Sequence, residues 1–206
     1  MPFMMPYIMK ESARGFEPFR IEDSLLQKRI VFLTEEVNAQ SSSDLMKQFL
    51  YLESENPGEE ITFFINSPGG EVTSGLAVYD YLRCLTSPIR TVCIGTAASM
   101  GSILFLAGEK REMLPHTRIM IHDPSYSHGE YAGKKPDELQ EEIDSLKKTR
   151  DILCGIIAER TGQDSKTVYE KTSRDSYFYA DEAVAFGLAT KIITSPGEIY
   201  QGGSIL

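Results

Sequence analysis

Short apolar runs alternate along this chain with longer stretches in which apolar residues return every three or four positions, a pattern that predicts strands interleaved with helices. Arg29-Ile-Val-Phe-Leu33 is the first predicted strand, preceded by a charged, irregular stretch over residues 10–24. A helix follows through Leu45, Phe49, Leu50 and Leu52, capped by Ser41-Ser-Ser-Asp44 and ended by Asn56-Pro-Gly58. Ile61-Thr-Phe-Phe-Ile65 has almost no polar interruption, the signature of a strand covered on both faces. It runs into Asn66-Ser-Pro-Gly-Gly70, and a helix is predicted over about residues 73–85. The same order of strand, glycine turn and helix returns over residues 91–108. There Thr91-Val-Cys-Ile94 is the strand and Gly95 breaks it. From Ser99 onward, Met100, Ile103, Leu104, Phe105 and Leu106 surround a buried helix that stops at Gly108. Arg118-Ile-Met-Ile-His122 is a further strand, followed by a loop holding Pro124, Gly129 and Gly133. A long helix is predicted over about residues 136–160, with Leu139, Ile143, Leu146, Leu153 and Ile157 along one face and length enough to project. Shorter helices around residues 166–171 and 181–186 and a closing strand near 190–193 complete an α/β class of fold.

The chain has 206 residues, 41% of them apolar, enough for one substantial core. One domain over residues 21–194 is expected, between a mobile N-terminal segment, 1–20, and a loosely ordered tail, 195–206. A formal net charge of −9 argues against nucleic acid or an anionic membrane as partner. Cys84, Cys93 and Cys154 are odd in number and widely spaced, as expected of small core residues in a reducing compartment. The longest apolar run, around Ile103 to Ala107, is too short to cross a bilayer. Pro2 and Pro6 interrupt the apolar N-terminus and Lys10 follows it, the wrong order for a secretory signal, so a cytoplasmic location is expected.

Ser99 is the residue around which chemistry can be organised. A hydroxyl at a helix start sits where backbone N–H groups lack partners and the helix dipole is positive, an environment that stabilises an oxyanion. The ordinary role for such a serine is a helix cap. Activation needs a base, and His116, His122 and His128 all follow it. They fall on a turn, a strand end and a loop, which does not gather three imidazoles as a metal site, and no metal is expected. His122, at the strand end, is the best held of the three. An acid placed between serine and histidine would have to be Glu109 or Glu112, and Ala98-Ser-Met-Gly101 lacks the Gly-x-Ser-x-Gly elbow. The order serine, histidine, acid is more natural and leaves Asp137, Asp144, Asp151, Asp164, Asp175 and Asp181 open.

Four motifs in order, Asn66-Ser-Pro-Gly-Gly70, Gly95-Thr-Ala-Ala-Ser-Met-Gly101, Arg118-Ile-Met-Ile-His-Asp-Pro124 and Arg174-Asp-Ser-Tyr-Phe-Tyr-Ala-Asp-Glu-Ala183, closely resemble the ClpP family, the proteolytic subunits of ATP-dependent Clp proteases. The resemblance covers roughly residues 13–194. It implies a crotonase-like ββα spiral with a projecting handle helix and an N-terminal segment like an axial gate. It implies Ser99 as nucleophile, His122 as base and Asp175 as the orienting carboxylate, with the amides of Gly70 and Met100 facing the oxyanion. It also implies stacked seven-membered rings of this chain, a hexameric Clp ATPase of the ClpX, ClpA or ClpC type as partner, and protein and peptide substrates. No cofactor belongs to the chain itself, because ATP is used by the partner.

Leu50, Tyr51, Phe64, Val92 and Ile94 match positions of the family's ATPase-docking cleft, whereas Thr62 and Cys84 stand where aromatics are usual. Asp123-Pro-Ser-Tyr-Ser follows His122 in place of glutamine- and glycine-rich residues, and Ser173 stands where an acid is common. These departures point to a divergent paralogue. They keep in view an alternative role as a structural member of a mixed ring with a second ClpP-type subunit.

Overall fold

The computed structural model describes residues 7–12, 15–125 and 133–199. Where an irregular stretch is expected, β1 (Tyr7–Ser12) and β2 (Gly15–Arg20) pair antiparallel, and α1 (Ile21–Gln27) follows directly. Gly15 takes φ +109°, a conformation that lets the chain reverse at little steric cost. Apolar and polar residues do not alternate cleanly in either strand, which is why hydropathy does not reveal the ribbon. Residues 1–6 and the tail beyond residue 199 lie outside the described residues.

The main sheet has seven strands. β3 (Ile30–Leu33), β4 (Ile61–Ser67), β5 (Ile89–Ala98), β6 (Lys110–Met113) and β9 (Lys191–Ile192) follow one another in that spatial order, all parallel. β7 (Arg118–Ile121) pairs parallel with the second half of β5, and β8 (Ser176–Tyr179) adds to it antiparallel. The mixed α/β fold with a parallel sheet agrees with expectation. One face of the sheet carries Val31, Leu33, Ile61, Phe63 and Ile65, all fully or almost fully buried. They meet α2 (Ala39–Glu55), α3 (Val72–Cys84) and α4 (Met100–Leu106), the last with every residue buried. Phe49 of α2 packs edge-on against Phe63 with centroids 5.3 Å apart, a geometry worth about 0.5–1.5 kcal/mol beyond its area.

Gly95 does not break its strand. β5 runs through it to Ala98, and the register with β4 slips between the pairs Ile65–Cys93 and Ser67–Ala97. The bulge is bridged by the Asn66 side chain, whose Oδ1 accepts from the Thr96 amide at 3.0 Å. A Cβ on Gly95 would stand 2.3 Å from that same oxygen, so a glycine is required.

Several expected details shift. The cap of α2 is Asn38, ahead of the serine run: its Oδ1 accepts from the amides of Gln40 and Ser41, and Ser41 Oγ accepts from the Asn38 amide in return. Cys93 and Cys154 are core residues, but Cys84 is exposed, because it lies off the α3 stripe of Gly75, Val78, Tyr79 and Leu82 that is buried. The long helix, α5 (Pro136–Thr161), has Pro136 in its first turn and Gly162 left-handed at its end. Its only buried residues are Leu153, Cys154 and Ile157, so the end nearest Gly162 is embedded, and Ile143 is 48% exposed. α6 (Ser165–Thr172) and α7 (Ala180–Phe186) flank β8 in sequence. Beyond β9 the start of the tail is not loose: α8 (Pro196–Ile199) is one helical turn held by side chains. Among the described residues no helix is long and apolar enough to cross a membrane.

Where α2 ends, Arg29 adopts φ 59° and donates to the carbonyls of Leu52, Glu59 and Glu60 and to Ser87 Oγ. Glu53 closes the same corner, accepting from the amides of Thr86 and Ser87 and from the Thr86 hydroxyl. Hydrogen bonds from Ser87 and then Thr86 hold its carboxyl down at about 2 from a usual 4.5. A depressed carboxyl contributes stability that is fully present above pH 4.5 and is lost as the pH falls toward about 2. Glu53→Gln should therefore lower stability at pH 7 by about 1 kcal/mol. In thermal melts followed by circular dichroism, the gap from the parent should narrow steadily below pH 4.5. A gap independent of pH would mean that the charge contributes nothing.

Candidate active site

Two strand registers assemble the site. β5 and β7 run parallel with Ala97 opposite Ile119 and Ala98 opposite Met120, which brings the end of β5 level with the end of β7. The Ser99 amide donates to the Met120 carbonyl at 2.9 Å and continues the ladder by one residue. β7 and β8 run antiparallel with Ile121 opposite Ser176, so the next residues outward, His122 and Asp175, face each other. Asp123 then fixes the strand end, its amide donating to the Thr172 carbonyl of α6 at 2.7 Å.

The result is a continuous chain of contacts. Ser99 Oγ lies 2.8 Å from His122 Nε2, and His122 Nδ1 lies 3.3 Å from Asp175 Oδ1. The His122 side chain is 27% exposed and that of Asp175 58%. Of the aspartates left open by the sequence, Asp144, Asp151 and Asp164 are engaged elsewhere: with Gln140 and Lys147, with Tyr169 and Arg150, and as the cap of α6. His116 is exposed on its turn, and His128 lies outside the described residues.

Ser99 occupies the capping position of α4 but does not cap it: its side chain makes no capping hydrogen bond. Its backbone has φ 52° and ψ −124°, a conformation that costs a non-glycine residue roughly 1–3 kcal/mol and persists only when neighbours over-determine it. Those neighbours are visible. The Ser99 carbonyl accepts from the Ser102 amide at 2.9 Å and from Ser102 Oγ at 2.6 Å. Gly69 presses against the other side, where an added Cβ would come within 2.6 Å of Ser99 Cβ and 2.9 Å of the Met100 nitrogen.

The turn before α3 is equally constrained. Ser67, fully buried, donates from Oγ to the Glu35 carbonyl at 2.6 Å and accepts from the Gly69 amide. Val37 bonds on either side of Gly70: its amide donates to the Gly69 carbonyl and its carbonyl accepts from the Glu71 amide, both at 2.7 Å. Gly70 itself sits at φ +146°, and a Cβ there would meet the Val37 carbonyl at 2.1 Å. Among the described residues neither the Gly70 amide nor the Met100 amide has a backbone acceptor. The paired glycines of the Asn66–Gly70 motif allow the positive φ and the close backbone approach seen here, whereas Ser67, which holds the turn, carries no signal of its own in the sequence. Beside Ser99 the surface dips into an apolar hollow walled by Val72, Ile103, Ile121, Pro124, Leu153 and Ile157. No cluster of three or more His, Cys, Asp or Glu that could hold a metal occurs among the described residues.

The five positions expected to form a docking cleft divide. Phe64, Val92 and Ile94 share one cluster on the sheet face away from the main core. Leu50 and Tyr51 are exposed on α2 and do not join that cluster within one chain.

The comparison with known families agrees with the motifs. The family model described as Clp protease matches residues 13–196, which takes in every described element from β2 to β9. Members of this family are peptidases and generally work as oligomeric rings with ATPases. On the strength of that match over nearly its whole length, the chain belongs to the Clp protease family.

Proposed function

We propose that this chain is a serine endopeptidase subunit of a self-compartmentalised, ATPase-dependent protease. The observation that carries the reading is the 2.8 Å contact between Ser99 Oγ and His122 Nε2, backed by Asp175 on the far ring nitrogen. His122 takes the hydroxyl proton as Ser99 attacks a peptide carbonyl, and Asp175 holds the tautomer that leaves Nε2 free to accept it. The imidazolium returns the proton to the leaving amine, and water then hydrolyses the acyl-enzyme by the same route. The amides of Gly70 and Met100 receive the oxyanion. Each such donor is typically worth about 100- to 1000-fold in rate.

In this reading the substrates are unfolded proteins and peptides, delivered by a hexameric Clp ATPase to stacked heptameric rings of this chain. ATP is consumed by the partner and no cofactor by the subunit. Three free thiols, Cys84, Cys93 and Cys154, suit the reducing cytoplasm. A structural role in a mixed ring with a second ClpP-type subunit is the alternative. The contact of Ser99 with its base within a single chain favours the active subunit over it.

Ser99→Ala should abolish both fluorophosphonate labelling and cleavage of a small fluorogenic peptide; persistence of either in that variant would sink the assignment. Asp175→Asn should slow cleavage by about 100- to 10,000-fold, read as kcat, with little change in KM. An unchanged kcat would remove Asp175 from the relay. Ser99→Gly should be as inactive as Ser99→Ala but more stable by about 1 kcal/mol, because glycine relieves the positive φ and offsets its own larger unfolded-state entropy. Denaturant titrations of the two inactive variants check this, and a less stable glycine variant would refute the strain.

A further inference from the structure

The sheet has two apolar faces, and the helices cover one of them. On the other, Phe64, Val92 and Ile193 form a separate buried cluster, with Ile30, Ile94 and Leu114 packed against it. A largely parallel sheet is stable when both faces are shielded from water. Here the second cover comes from the chain's own end: Ile199 of α8 packs onto that cluster. Beneath α8 lies Arg90, with no exposed surface, its Nε 2.9 Å from Glu112 Oε2. Its two terminal nitrogens donate to consecutive backbone carbonyls, Nη2 to Glu198 at 2.6 Å and Nη1 to Ile199 at 3.0 Å. Lys191 Nζ pairs with the Glu198 carboxylate at 2.5 Å, and the other carboxylate oxygen accepts from the amides of Thr194 and Ser195.

The holdfast uses one aliphatic side chain, two successive peptide carbonyls and one carboxylate. None of these belongs to the helical turn alone; a short peptide loop from another molecule presents the same groups. The apolar patch also extends past its cover, since Phe32, stacked on Phe64 at 5.0 Å, is still 39% exposed, whereas Val92 is sealed and Phe64 only 7% exposed.

We propose that this face is a peptide-docking site that Pro196–Ile199 fills in cis, so that a partner loop gains it by displacing the strap. The kind of partner that fits is a loop carrying an aliphatic residue preceded by an acid, its carbonyls taken by Arg90 and its carboxylate by Lys191. The proposal rests on the assignment of Phe64, Val92 and Ile94 to ATPase docking and adds the competitor that regulates it.

The test uses the assembled full-length chain, an Ile199→Ala variant and a chain truncated after Thr194. The probe is a fluorescein-labelled peptide of residues 194–206, followed by fluorescence anisotropy. The peptide should bind both variants at least about tenfold more tightly than the full-length chain. A peptide carrying Ile199→Ala should lose about tenfold on the truncated chain. Cleavage of a small fluorogenic peptide should be unchanged in the Ile199→Ala variant. Equal binding to all three proteins, or binding to none, overturns the proposal. So does a truncated chain that fails to fold together with an Ile199→Ala variant that gains no affinity, since the turn would then be a structural cover only. Adding a hexameric Clp ATPase separates the two readings. Release of the labelled peptide supports both, whereas tight binding that the ATPase does not disturb keeps the cis-filled site and removes the ATPase as its partner.

Discussion

The change of neighbour along one edge of β5 is the constraint on which the site depends. Its first half pairs with β6, from Arg90–Lys110 to Cys93–Met113, and its second half pairs with β7, from Thr96–Arg118 to Ala98–Met120. The bulge at Asn66 and Gly95 lies where one neighbour gives way to the other, and a bulge bends the strand there. Because the second half pairs with β7 in this register, Ser99 emerges beside the end of that strand and within reach of its histidine. A slip of one residue in either register would send His122 to the opposite face of the sheet and break its contact with Ser99.

This dependence explains what could be read from the chain beforehand. Ser99 and His122 are legible because each sits at a local boundary, where an apolar run stops and a polar residue appears. Asp175 is not selected by the residues alone, since only the antiparallel pairing of β7 with β8, a contact between distant parts of the chain, singles it out from five other aspartates. The family motifs carried that information instead. The same reason hides the bend at Gly95, where a glycine in an apolar strand suggests a break until the Asn66 side chain is seen bridging it. Pro196–Ile199 looks like loose tail because its order is imposed by Arg90, more than a hundred residues earlier. The cap of α2 is ambiguous for a smaller reason: Asn38 and the serine run are all good caps, and hydrogen-bond geometry decides between them.

The two glycines before α3 and the strained Ser99 express one packing problem. The positive φ of Ser99 turns its side chain clear of the helix start, and the loop that faces it comes very close. Gly69 fills that space without a side chain, while Ser67 and Val37 hold the turn so that the Gly70 amide is left without a backbone acceptor. The hydroxyl that would ordinarily cap α4 is committed to His122, so the first amide of the helix is left without a backbone acceptor as well.

The long-range pairing of β8 also sets an order in time. On a ribosome, Ser99 and His122 emerge well before Asp175, and β8, the strand that carries the carboxylate into place, is among the last elements made. A growing chain thus holds a serine and a histidine with no partner to orient the ring, beside a sheet edge that still lacks its final strand. Contact among the three side chains thus comes late in synthesis, at a time fixed by the order of the strands.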